Sequence, residues 1–368
     1  MELTEIIKQK VKNEGPICFQ EFMEMCLYHA DLGYYSSPQN KIGMDGDFYT
    51  STCLTPVFGA LIGKQLEEMW QTMGEPAFTV VEYGAGTGAL CHDILTYLKG
   101  NKKMHDQLRY CIIEKSPAMR ALEKKHLNEK VCWYDSIQEI PEINGCIISN
   151  ELVDNFSVHQ VVMEEELKEV FVDYQDGFVE VLKPASEVLQ GYLSELGIEL
   201  PQGFRTEINL QALSWISDVA AALNTGYVMT IDYGHQSAEL YKACRSGGTL
   251  LCYYKHSIND CVFDNIGKQD ITSHVNFSAL MHWGGKNGLD HCGLTDQCHF
   301  LLALGFKDFI NQEMSYEKDI LQAAKKASIL SHTLLIDMGN KFKVLIQKKG
   351  LNPQQRISGL KFNYAEES

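Results

Sequence analysis

The sequence lacks a CxxC pair, a long apolar run, an internal repeat and a low-complexity tract, and it is short of positive charge. Each absence closes off a class of function. A membrane-spanning helix needs about 20 consecutive apolar residues, so no membrane insertion is expected. Lys and Arg number 32 against 48 Asp and Glu, a formal net charge of −16. Such a molecule repels phosphate backbones, which argues against a nucleic-acid partner. Twelve cysteines are scattered without pairing motifs and read as reduced thiols, not as a disulfide framework. Their densest group, HCGLTDQCH from His291 to His299, matches no zinc-ligand spacing, so no metal is expected. The opening MELTEIIKQKVKNEG places Leu3, Ile6, Ile7 and Val11 among acids and lysines. That is an amphipathic helix, not a signal or transit peptide, and the expected location is cytoplasmic.

What is present is strand-then-helix alternation. From Phe78 the chain reads FTVVEY then GALCHDILTYLKG, LRYCIIE then PAMRALEKKHL, VCWY, and GCIIS. Uninterrupted apolar strands alternating with amphipathic helices predict an α/β fold with a mostly parallel central sheet covered on both faces. Residues 1–75 read as an N-terminal helical cap around a long loop, DLGYYSSPQNKIGMDGDFYTSTC, too rich in Gly, Asp and Ser to be regular. Residues 76–350 read as the core. It carries a β insertion near 157–205 and an irregular, then helical, insertion near 254–310. Residues 351–368 form a C-terminal tail.

The chemistry gathers at strand ends. VVEYGAGTGAL puts Gly84, Gly86 and Gly88 after a buried strand and at the mouth of a helix, where backbone N–H groups can receive a ligand. Gly84-x-Gly86-x-x-Ala89 also satisfies a dinucleotide fingerprint. Glu82 helps to choose. Its charge would repel a pyrophosphate but suits the cationic amino-acid portion of S-adenosylmethionine. Glu114, ending CIIE, is placed for ribose hydroxyls, and Asp135, after VCWY, for an adenine amino group. Each of the three also has a plain reading as a cap or turn carboxylate. In IISNELVDNF (147–156), Asn150, Glu151 and Asp154 stand where parallel strands open onto a ligand crevice, and a first helical turn would bring Glu151 and Asp154 to one side. The alternative is a helix capped by Ser149 or Asn150, with acids in its first turn. Tyr34, Tyr35, Asp47, Phe48 and Thr50 lie in the long loop as a candidate lid. Asp232-Tyr233-Gly234 ends a later strand and borders the same edge.

The succession GYY, GDFYTS, VEYGAGTGAL, SNELVDNF, IDYG, GTLLCYY and QDITSHVNFSAL resembles the MidA family of S-adenosylmethionine-dependent methyltransferases, over about residues 16–306. Two departures stand out: TCLTPVFG where the family usually has a Pro-Glu pair, and Ser157 where proline is common. The resemblance implies a Rossmann-like class I methyltransferase fold and S-adenosyl-L-methionine as cofactor. It further implies a protein substrate with an accessible arginine, which for mitochondrial members is a core subunit of respiratory complex I. Arginine stays protonated at ordinary pH, so a transferase must orient its guanidinium and take up a proton, which paired carboxylates can do. On this reading Glu151 is the main guanidinium ligand, Asp154 its partner, and Asn150 orients substrate or the methionine moiety. The resemblance also marks Asp270 and His274 for substrate contact. A small-molecule methyltransferase, a non-enzymatic cofactor-binding assembly factor and a nicotinamide dehydrogenase are the other readings, the last disfavoured by Glu82.

Overall fold

The computed structural model describes residues 2–36, 51–127, 130–255 and 257–362. Asp47, Phe48 and Thr50 lie outside them. The cap opens with α1 (Leu3–Glu14), whose buried Leu3, Ile7 and Val11 recur every fourth residue, and α2 (Phe19–Tyr28). Both pack into one apolar cluster with Val170 and Val172. After the short helical turn Ser51–Leu54, the long helix α3 (Pro56–Thr72) begins as its sequence dictates. Thr55 Oγ1 accepts from the Val57 N–H (3.3 Å), and Pro56 occupies the first helical turn, where no partner for its nitrogen is needed.

The core is built on strands β1 (Phe78–Tyr83), β2 (Leu108–Ile113), β3 (Val131–Tyr134), β4 (Ile143–Asn150), β5 (Leu223–His235), β6 (Asp290–Asp296) and β7 (Phe342–Lys349). Their spatial order is β6-β7-β5-β4-β1-β2-β3, with the short strand Val275–Asn276 paired to the end of β5. Strands β3, β2, β1, β4 and β5 are mutually parallel; β7 runs antiparallel between β5 and β6. Successive residues of a strand face opposite ways. Thus Val80, Ile112, Ile148 and Met229 meet α3 and α4 (Ala89–Leu98) on one face. On the other face Val81, Cys111, Ile147 and Val228 meet α6 (Leu210–Ala222) and α7 (Phe277–Lys286), while α5 (Pro117–His126) joins β2 to β3. Order reverses between β1 and β4, so the crevice opens there, at the carboxyl ends of the strands.

Two smaller sheets flank this core. An antiparallel one joins Ile17–Cys18, His159–Met163, Leu167–Tyr174, Phe178–Pro184 and Arg205–Ile208, so the cap's first strand is built into the insertion. The other pairs Leu251–Tyr254 with Ser257–Asn259 and with Asp270–Thr272, in a stretch expected to be irregular. It delivers Tyr253 and Asp270 to the crevice mouth.

Candidate active site

A cavity of about 1550 Å³ opens at the carboxyl ends of the parallel strands. Its floor is the turn from β1 into α4. Gly84, Gly86 and Gly88 have φ of 63°, 59° and 79°, a left-handed path on which L side chains are strained. A Cβ at Gly84 would meet Leu152 Cδ1 at 3.1 Å. Gly84 and Gly86 line the cavity, whereas Gly88 sits behind them as the residue capping α4.

Glu82 is buried beneath this turn, and Tyr110 donates to its Oε2 at 2.7 Å. Burial lifts its carboxyl to about 7, partly opposed by that hydrogen bond. Glu114 leaves the end of β2, accepts from the Ser116 N–H at 2.6 Å, and is raised by burial. Asp135 is exposed on the rim, with Oδ1 paired to Arg120 at 2.6 Å. All three line the cavity.

IISNELVDNF does not start an α-helix. Glu151 takes φ 51°, unusual for a residue with a Cβ, and its N–H donates to the Ile231 carbonyl at 3.0 Å. A single 3₁₀ turn, Val153–Asn155, follows. The reason lies on the neighbouring strand. Asp232 Oδ2 accepts from the N–H groups of Leu152 (3.2 Å), Val153 (2.9 Å) and Asp154 (3.3 Å), doing for this turn what an N-cap does for a helix. Glu151 and Asp154 consequently face one cavity, by a strained residue and a cross-strand carboxylate instead of helical spacing.

The electrostatics are unfavourable to charge. Burial raises the Glu151 carboxyl to about 8, and the Asp154 charge adds to the rise. Its Oε1 accepts from Asn150 Nδ2 (3.3 Å) and the Ser51 N–H (3.4 Å). Asp154 is likewise raised by burial, and Asp232 lies well above the carboxylate range from burial and then Asp154. The Tyr233 hydroxyl stands close enough to favour ionised Asp154, yet Asp154 Oδ1 and Tyr233 Oη close no hydrogen bond of ordinary geometry, and Asn150 Oδ1 has no partner. Among the described residues nine acidic side chains line the cavity against Lys115, Arg245 and Lys341. Unpaired acceptors in an acidic cavity are a receptor for a cation that donates hydrogen bonds.

Of the other expected residues, Tyr35 donates to both oxygens of Asp270 at 3.1 Å and stacks on Tyr28, ring centroids 5.5 Å apart. His274 packs edge-on to Tyr233, and burial, then His235 and Arg245, push its imidazole down to about 4, so it is neutral at pH 7. Tyr35, Asp270 and His274 line the cavity; Tyr34 is buried in the cap core and does not. Two cavity residues carried no signal in the sequence. Tyr28 reaches Asn155 Oδ1 at 2.7 Å from what reads as an ordinary amphipathic helix. Trp215, whose Nε1 is buried without a partner, reads as core of α6.

Residues 61–295 match the family described as S-adenosyl-L-methionine-dependent methyltransferase. The chain belongs to that family. Over 95% of its length the methyltransferase is 25% identical to the mitochondrial protein arginine methyltransferase NDUFAF7 homolog of Drosophila melanogaster, covering 85% of it. Over 93% it is 27% identical to the mitochondrial homolog of Caenorhabditis elegans, again covering 85%. Its fold matches a Burkholderia thailandensis superfamily member bound to S-adenosyl-homocysteine, with TM-score 0.88, 29% identity, and coverage of 98% of this chain and 95% of that one.

The cofactor of the methyltransferase is S-adenosyl-L-methionine, as expected from Glu82 and the resemblance. The residues present fit it. Gly84 and Gly86 bring backbone without a Cβ to the cavity wall, Glu82 and Glu114 supply acceptors beside it, and Asn150 Oδ1 lacks a partner. The cytoplasmic expectation is overturned by the relatives, which are mitochondrial proteins. Among the described residues no helix is long and apolar enough to cross a membrane.

Proposed function

We propose that the methyltransferase modifies an arginine side chain of a protein substrate, with Glu151 as the principal guanidinium ligand and Asp154 as its partner. The observation that carries this reading is the pair itself: buried Asp154 and half-buried Glu151, backed by Asp232 and with both carboxyls raised by desolvation, in a cavity dominated by acids. A neutral acceptor would leave the raised carboxyls largely protonated, whereas a guanidinium offers the donors and the positive charge that let them ionise. The cavity also exceeds the 300–1,000 Å³ or so typical of one small ligand, leaving space for a side chain beside the cofactor.

When bound, the cofactor supplies an electrophilic methyl group on a cationic sulfur. The chain's own residues do the rest. Glu82 and the Gly84–Gly86 turn receive the amino-acid portion, Glu114 the ribose, and the free oxygen of Asp135 the adenine edge. Glu151 and Asp154 accept from guanidinium N–H groups, which aligns one nitrogen for in-line attack. A methylated guanidinium nitrogen has a proton to shed, and Glu151, ionised beside the cation and with its carboxyl raised to about 8, would accept it. Asn150 orients the methionine portion or the guanidinium, and Tyr35, Asp270 and His274 border the substrate side.

The test is transfer of label from radiolabelled donor in a lysate of the source cells, read as methylarginine in protein, with a complex I core subunit the first purified acceptor to try. Glu151→Gln should keep donor binding by calorimetry and lose turnover on the order of 10²–10⁴-fold. Label confined to small molecules, or a Glu151→Gln protein with normal turnover, overturns the assignment.

A further inference from the structure

Outside the cavity lining, a cluster of a different chemistry forms in the flanking antiparallel sheet. Cys18, His159 and Glu169 each bring one ligand atom within 4.8 Å of the others. Strand topology explains the meeting. Leu167–Tyr174 gives one edge to Phe178–Pro184 along its length; on the other, Val161–Met163 pair with Leu167–Glu169, then Ile17 and Cys18 pair with Val172 and Phe171. Glu169 therefore stands where one partner strand yields to the next. Directly opposed residues share a face, as do residues two apart. Cys18 opposite Phe171, Glu169, and His159 two before Val161 thus project to one side of the sheet.

The cluster is under-neutralised. Glu169 is only 6% exposed, and its recorded ion pair is with His159, Nδ1 to Oε1 at 2.7 Å. Lys183, cross-strand from Glu169, is engaged elsewhere: its Nζ donates to the Pro16 carbonyl at 3.3 Å and lies 4.0 Å over the Phe171 ring. A thiol, an imidazole and a carboxylate form the mixed sulfur, nitrogen and oxygen set that suits zinc, and a thiolate is a poor ligand for calcium or magnesium.

We propose that Cys18, His159 and Glu169 bind a zinc-type divalent cation that fastens the helical cap to the β insertion. Thiolate and carboxylate together neutralise its charge; the Cys18 thiol proton leaves to solvent as the metal–sulfur bond forms, and a water completes a tetrahedral shell. Ligand atoms around tetrahedral zinc stand roughly 3.4 Å apart, so side-chain rotation of about 1 Å closes the site. The consequence reaches the catalytic cavity. Cys18 immediately precedes α2, whose Glu24 and Tyr28 line that cavity, and Ser157, two residues before His159, donates to Glu24 at 2.7 Å. A metal here holds one wall of the cavity in place without touching substrate.

The experiment loads the purified full chain with zinc, dialyses it, and measures metal by mass spectrometry. It repeats the loading with cobalt to read the thiolate charge-transfer band. The wild type and the exposed-cysteine control Cys261→Ser should each retain one equivalent and show the band, while Cys18→Ser and His159→Gln should retain none. Chelation should lower the melting temperature of the wild type but not of His159→Gln, which decides the matter if Cys18→Ser fails to fold. A wild type that retains no zinc, or a folded His159→Gln that retains as much as the wild type, overturns the proposal. Neither result depends on which molecule is methylated.

Discussion

Glu151 pairs a left-handed backbone with a carboxyl lifted to about 8 by burial. Left-handed geometry costs a residue with a Cβ roughly 1–2 kcal/mol, and such strain persists where surrounding structure over-determines it. Here the Ile231 carbonyl and the Asp232 carboxylate hold the chain on either side. Asp232→Asn therefore should lower kcat while leaving donor affinity intact, since its turn faces the acceptor side; unchanged kcat would show that the turn holds itself. The raised pKa sets a pH dependence. A cationic acceptor binds the ionised acid, so kcat/KM should fall roughly tenfold per unit as pH drops below about 8, and a flat profile from pH 6 to 9 would remove Glu151 from acceptor binding. Glu82 gives the matching stability prediction. Its carboxyl titrates at an ordinary 4.5 when unfolded and about 7 when folded. The folded state prefers the protonated form, so stability attached to this group is full below pH 4.5 and lost as pH rises through 7. Glu82→Gln should raise the melting temperature more at pH 8 than at pH 5, and weaken donor binding.

At the scale of elements, two glycines near the amino ends of the central strands, Gly145 at φ 153° and Gly226 at φ 139°, take a backbone path on which a Cβ would point into the paired strand. A Cβ at Gly145 on β4 would lie 2.1 Å from the Thr79 carbonyl oxygen of β1, and one at Gly226 on β5 would lie 2.0 Å from the Gly145 oxygen. Gly145→Ala should cost on the order of 3–5 kcal/mol by chemical denaturation, and a loss under 1 kcal/mol would mean the strands part easily. The elements themselves were unevenly legible. Strands β1, β2 and β4 are continuous apolar runs because helices cover both their faces, and such runs are visible without a fold. By contrast β6, DHCGLTD, is an edge strand with exposed Asp290 and His291, and its composition hides it. The three-stranded sheet carrying Tyr253 and Asp270 is held by pairing across an irregular loop, and non-local pairing leaves little local trace.

For the whole molecule, the charge of −16 and the acidic cavity act together at long range. A basic protein substrate should be steered in, so kcat/KM should fall as ionic strength rises through about 0.15 M, where screening reaches roughly 8 Å. An unchanged kcat/KM in salt would point to an uncharged acceptor. The sequence by itself determined the strand-and-helix alternation, the glycine turn after β1 and the acids at strand ends, since each follows from local periodicity or from what a residue type permits. It also carried the family motifs. Only the tertiary structure decided that Glu151 and Asp154 meet through a strained turn held by Asp232, that Tyr34 belongs to the core while Tyr28 lines the cavity, and that Cys18 stands beside His159 and Glu169. Those relations depend on which strands become neighbours, and residues on separate strands leave no mark of that on one another in the sequence.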